Sequence, residues 1–342
     1  MTLPAAIDAA RTERNEGPGR TCALHYRYRP EDLASVAPAF RCETLYVVGG
    51  LYGNVPALDA VLQMFDAEPA HDKRLVFNGD FHWFDTDPVA FERIDTTVAR
   101  FSAIGGNVET EIADADAATG AGCGCGYPDW VDDAVVERSN RIIERLRGTA
   151  RRFPAACARL TALPMWMRVQ VGDRQVGIVH GDAHSLAGWD FAPELLADPR
   201  HRQRVLADFT TAQVDICAST HTCMPVLQTW GLAAQRVRRV LVNNGAAGMP
   251  NLAGAREGLL TRIATTPLAV AGQRRAGTAC GAVSIDLLAV GYDDTRWQRE
   301  FVAEWPPGSD AQASYGARIT GGSRSPVAPF VGHDVDCSAA GH

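Results

Sequence analysis

The stretch TLYVVGGLYGN (44–54) decides the fold. Its first five residues form a short β-rich run, GGLYGN reads as a turn, and Val55, Leu58, Val61, Leu62 and Phe65 follow at helical spacing. This is a strand, loop, helix unit. Similar apolar runs recur at 74–77, 101–104, 176–179, 214–218 and 240–242, each ending in a polar or glycine-rich loop, and GAVSIDLLAVGY (281–292) reads as a further strand. Repeated strands that end in chemistry-bearing loops predict a layered α/β enzyme.

Working outward from that unit, residues 1–43 read as a polar lead-in in which TCALHYRYRP (21–30) suggests a short strand before Pro30. The main body spans 44–304. Within it, 110–165 is an insertion: 114–126 is a loop of small residues, and Trp130, Ala134, Val135, Ile142, Ile143 and Leu146 fit a helix. Pro154 then breaks the chain at or before a second helix carrying Cys157 and Leu160, so the insertion is expected to be a helical cap. Residues 305–342 read as a Pro/Gly/Ser-rich tail.

The 342 residues are 46% hydrophobic and carry a net charge of -7, enough apolar material for a large core and too little clustered basic charge for nucleic-acid or membrane-surface binding. No run of 18 apolar residues and no secretory signal is read in the sequence, so a cytoplasmic setting is expected, and nine scattered cysteines suit reduced thiols. Lys73 is the only lysine. That excludes a Walker-type phosphate loop and disfavours Schiff-base chemistry.

The loops after the strands read VGGLYGN (48–54), NGDFHWFD (78–85), GGNVE (105–109), IVHGD (178–182), STHTC (219–223) and NNGAAGMP (243–250). In this order they resemble the calcineurin-like metallophosphoesterase superfamily, most of all its small bacterial phosphodiesterase branch. That family carries D-x-H, G-D-x-x-D, G-N-H-[DE], a lone histidine and G-H-x-H on successive loops around two metal ions. The likeness covers residues 44–293 and implies a four-layer α/β/β/α sandwich with a helical cap insertion. Phosphoesters are anionic, sluggish electrophiles, so a divalent ion that holds both water and a phosphoryl oxygen supplies what the reaction needs.

Carried over residue by residue, the resemblance implies Asp80 as the bridging aspartate, Asn107 as the amide ligand, His180 as the lone histidine and His221 as the first histidine of G-H-x-H. All four would bind one ion. The second position is depleted: the D-x-H residues are Gly50 and Tyr52, and the second histidine of G-H-x-H is Cys223, leaving Tyr52 and Cys223 as substitute ligands. Val108 stands where the family has its phosphate-facing histidine. His82, Asp85, Glu109, Asp182 and His184 share these loops and read as supporting polar groups or replacement ligands.

The resulting expectation is hydrolysis of a phosphodiester or phosphomonoester by a metal-bound hydroxide, with Asp80, Asn107 and His180 in catalytic roles. The ion would be Mn, Zn or Fe, one ion rather than two, and the partner a small phosphorylated substrate. The rival expectation is a phosphoesterase-like domain that binds a ligand without hydrolysing it, because Asp80 is the only carboxylate at a matched ligand position. The Cys123–Cys125 pair in GAGCGCGYP reads as loop rather than as a metal site.

Overall fold

The computed structural model describes residues 17–20, 23–114, 120–232, 236–269, 271–323 and 328–335. In chain order its strands are β1 (Arg41–Cys42), β2 (Thr44–Val48), β3 (Lys73–Asn78), β4 (Ser102–Ile104), β5 (Trp166–Val171), β6 (Arg174–Val179), β7 (Ile216–Ser219), β8 (Pro225–Leu232), β9 (Arg236–Asn244), β10 (Gly258–Ala264), β11 (Arg274–Cys280), β12 (Val283–Val290) and β13 (Phe330–Val335). The helices are α1 (Pro30–Ala34), α2 (Val55–Ala67), α3 (Pro88–Val98), α4 (Asn107–Ala113), α5 (Asp133–Ala150), α6 (Pro154–Thr161), α7 (Pro193–Leu196), α8 (Pro199–Ala212), α9 (Asp294–Glu304) and α10 (Asp310–Gly321). None of the described helices is long and apolar enough to cross a membrane.

Two sheets form, in the orders β11-β12-β10-β2-β3-β4 and β1-β5-β6-β7-β9-β8-β13. Strand β2 shows why they stack. Leu45 and Val47 point into a core shared with Val169, Val176, Ile178, Val240 and Val242 of the other sheet, whereas Tyr46 and Val48 face the helical side. Both faces are buried, which is why the strand runs Leu, Tyr, Val, Val after Thr44 instead of alternating. Helices α2, α3, α5, α6, α9 and α10 cover the first sheet, while α1 and α8 contribute Leu33, Val205 and Phe209 to the core beneath the second. The molecule is therefore a helix, sheet, sheet, helix sandwich.

Strands β2, β3 and β4 pair in parallel, as do β6, β7 and β9, so each set delivers its loops to one edge of the sandwich. Helix α2 starts cleanly because Asn54 accepts the Ala57 N–H and Pro56 lacks a donor to lose. Insertion helices α5 and α6 bury Ile142, Ile143, Leu146 and Leu160 in the same core cluster as Tyr46 and Phe77.

Two stretches differ from their sequence reading. Residues 24–26 form a 3-10 turn instead of a strand, and Arg27 makes only an isolated bridge to Ser185. The 305–342 tail supplies α10 and β13, the latter pairing in parallel with β8. Ala311, Tyr315 and Ile319 recur every four residues and pack on the core, a helical period masked by the surrounding Pro, Gly and Ser. Residues 324–327 and 336–342 of that segment lie outside the described residues.

Candidate metal centre

The loops after β2, β3 and β7 are held in an uncommon backbone state. Tyr52 (φ 56°), Asp80 (φ 53°) and Cys223 (φ 56°) adopt left-handed conformations that side-chain-bearing residues rarely take. The remaining non-glycine example among the described residues, Gln213, merely ends α8. Glu109 stabilises the Asp80 loop. Its carboxylate accepts the N–H groups of Asp80 (2.7 Å), Phe81 (2.9 Å), His82 (3.3 Å) and Gly106 (3.0 Å), so one side chain ties two loops together. Gly106 is constrained by contact, because a Cβ there would overlap Asp80 and His180.

His180 places its Nδ1 2.9 Å from the carbonyl of Asn78. Donation there leaves Nε2 as the lone pair, 3.3 Å from Asp80 Oδ1, 3.3 Å from Asn107 Oδ1 and 3.2 Å from His221 Nδ1. Asn107 donates its amide to the Cys123 carbonyl at 2.9 Å, which turns its oxygen inward. The His221 Nε2 lies 3.0 Å from the Cys125 carbonyl, so donation there turns Nδ1 inward in the same way. With both imidazoles neutral, four acceptors face one another and none of the four side chains donates to another; the Val108 N–H reaches Asp80 Oδ1 at 3.3 Å.

Such an arrangement calls for a cation. A tetrahedral ion with bonds of about 2.0–2.1 Å places its ligands roughly 3.3 Å apart, which matches the spacing around His180. Asp80, His180 and His221 are all buried, and their ligand atoms lie within 4.8 Å of one another. The nitrogen and oxygen donors fit a divalent metal, and the backbone carbonyls behind Asn107, His180 and His221 orient them for it.

The electrostatics agree. Burial, then the neighbouring His180, pushes the His221 imidazole down to about 4, so it is neutral near pH 7. Burial also works against a charged His180, but the Asp80 carboxylate outweighs it and raises that pKa. Burial likewise opposes ionisation of Asp80, and His180 reverses the balance so that its pKa falls.

Tyr52 and Cys223 form a different arrangement. The Tyr52 Oη and Cys223 Sγ lie 2.7 Å apart and satisfy each other, and the thiol also reaches the His221 carbonyl at 3.3 Å. Burial, chiefly, raises both pKa values, so phenol and thiol stay protonated near neutrality. Thiols ligate metals as thiolates. This pair is therefore closed by its own hydrogen bond.

The other loop residues act as supports. His82 and Asp85 form a fully buried pair at 2.6 Å, with the imidazole stacked on Phe91. Asp182 accepts the N–H groups of His184, Ser185 and Asp190, and His184 pairs with Asp208. Sequence reasoning did not single out the 120–126 loop as the element behind Asn107 and His221. It acts through main-chain carbonyls, which leave no mark in residue identity. Beside the ligands lies a cavity of about 190 Å³, to which Asp80, Asn107, Val108 and His221 contribute together with Cys125, Tyr127 and Val135 of the insertion.

The two stacked sheets with ligand-bearing loops at one edge define the metallophosphoesterase-type fold. Among solved structures, the chain is similar to a hypothetical protein from Pyrococcus horikoshii OT3, at 14% identity over 82% of this chain and 99% of that one, with a TM-score of 0.57. It is also similar to a metallophosphoesterase from Sphaerobacter thermophilus, at 15% identity over 82% of this chain and 100% of that one, with a TM-score of 0.52. At such identities the likeness is one of fold. No family model matches the chain, and no curated protein matches it in sequence.

Proposed function

We propose that this chain hydrolyses a small phosphorylated substrate, using one divalent ion held by Asp80, Asn107, His180 and His221. The observation that carries this reading is the convergence of four buried acceptors whose other polar atoms are tied to backbone groups or set by them. When bound, such an ion supplies Lewis acidity toward a phosphoryl oxygen and acidifies water. Mn, Zn and Fe all suit the donor set.

The protein's own groups orient and enclose. Asp80 provides the negative charge, His180 keeps its Nε2 lone pair inward through the Asn78 carbonyl, and Asn107 offers a neutral oxygen. No Lys or Arg is among the described residues lining the cavity, so the substrate's phosphate has no side-chain counter-charge there. In the net reaction the oxygen of water bonds to phosphorus, the ester P–O bond breaks, and the proton released from water ends on the leaving oxygen. The seven described cysteines are free thiols, which supports a reducing, cytoplasmic setting.

The test combines metal analysis with turnover of bis-p-nitrophenyl phosphate and p-nitrophenyl phosphate. One ion per chain and hydrolysis lost in His180→Ala is the expected result. An ion held at full occupancy without turnover of either ester would overturn the enzymatic reading. It would favour a phosphoester-binding domain, the alternative supported by the Tyr52–Cys223 pair in place of a second ligand set.

A further inference from the structure

The cavity beside the four ligands has a distinctive wall. Five aromatic residues line it, Tyr52, Trp83, Tyr127, Trp189 and Tyr315, and Asp80 is the only carboxylate among its described lining residues. Several polar tips are already engaged: Tyr52 with Cys223, Tyr127 with the Ser139 hydroxyl at 3.1 Å, and the Trp189 indole N–H with the Cys125 carbonyl at 3.0 Å. Arg318 directs its guanidinium to the carbonyls of Pro250 and Cys223. A ligand in this cavity meets these rings together with Val108, Val135 and the Cys125 and Cys223 side chains.

The angles between rings say what shape that surface suits. Trp83 and Tyr315 are inclined by 84°, Tyr127 and Trp189 by 43°, and Trp189 and His221 by 77°. A planar base is best held between parallel faces, whereas steeply inclined rings enclose a rounded group. Ring faces are electron-rich and attract cations, quaternary ammonium groups above all. We propose that this cavity binds a compact quaternary ammonium head, so that the substrate is a phosphoester of a choline-type amino alcohol. The phosphate half of this assignment rests on the hydrolytic reading above, whereas the ammonium half rests on the rings alone.

The experiment addresses the ammonium half without metal or turnover. Choline and its uncharged isostere 3,3-dimethylbutan-1-ol are titrated into the full chain in the presence of a chelator, with tryptophan fluorescence as the readout. Choline should bind about tenfold tighter or better. Tyr315→Leu should bring the ratio toward one while Tyr315→Phe keeps it. Val135→Lys, a half-buried lining position on α5, should weaken choline several-fold and leave the isostere unchanged, and it does not depend on removing a ring. Equal binding of the two, or tighter binding of adenosine than of choline, overturns the proposal. Choline selectivity in a protein that hydrolyses no phosphoester would uphold the cage and overturn the hydrolytic reading instead.

Discussion

The two faces of the metal loops are built from neighbouring residues yet behave oppositely. Around His180, four acceptors converge and none can satisfy another, so the protein bears an electrostatic cost until a cation arrives. Around Tyr52, a donor and an acceptor meet at 2.7 Å and the position is complete by itself. A buried site advertises a missing ion by unmatched lone pairs, and a closed hydrogen bond removes that need.

The most severe way to break the contrast is to delete the converging acceptors. His180→Ala with His221→Ala should weaken Mn or Zn binding on the order of a hundredfold or more, measured by calorimetry with metal analysis. Retained binding at wild-type affinity would show that the ion sits elsewhere.

A second experiment converts the closed face into an open one. Gly50→Asp, Tyr52→His and Cys223→His together should raise the stoichiometry from one ion toward two. Gly50 has φ 64°, and a Cβ there would lie 3.0 Å from the Tyr52 ring and 3.1 Å from the Ala246 backbone, so the aspartate should cost stability, of which the Tyr52 change relieves only the ring contact. A folded triple variant that still holds one ion would mean that the loops, as well as the ligands, have diverged.

Comparing the faces across pH requires separating out Glu304, which lies outside both. It accepts the Asp87 N–H and the Thr86 hydroxyl, and burial raises its pKa to about 7. Since folding favours its protonated form, its contribution is complete below an unfolded pKa of about 4.5 and is lost as pH rises to about 7. Glu304→Gln should flatten denaturation stability over that window and gain at most about 3 kcal/mol at pH 8. Parallel wild-type and variant curves would refute the assignment.

The smallest effect expected is that of Tyr52→Phe. Removing the hydroxyl should cost about 1 kcal/mol in urea denaturation and leave first-ion affinity unchanged within a few-fold. A large loss of metal binding would make Tyr52 a ligand after all.

Much of this architecture was legible because β2 and β3 are short apolar runs ending in turn residues and the α2 helix follows its period. Strands β10 and β11 were less so, since Gly258, Arg262 and Thr261 are buried in β10 without an apolar alternation to mark them. The four converging residues stood out through loop order. Their supports did not: Glu109 was visible as a polar group but not as a clamp on four N–H groups, and Tyr315 lay within a stretch whose composition resembles a tail. Contacts between distant loops depend on the path of the whole chain, which local pattern does not encode.

The 120–126 loop carries a lesson in heredity. Cys123 and Cys125 hold Asn107 and His221 by carbonyl oxygens that any amino acid possesses, whereas Gly120, Gly122, Gly124 and Gly126 all have positive φ, from 58° to 65°. A Cβ on Gly122 would strike Asn140, and one on Gly124 would strike Tyr26. Across descendants of this chain, the Cys123 thiol that catches the eye is less constrained than the inconspicuous glycines between the cysteines, while the Cys125 thiol keeps a 3.5 Å contact with the Asn107 amide.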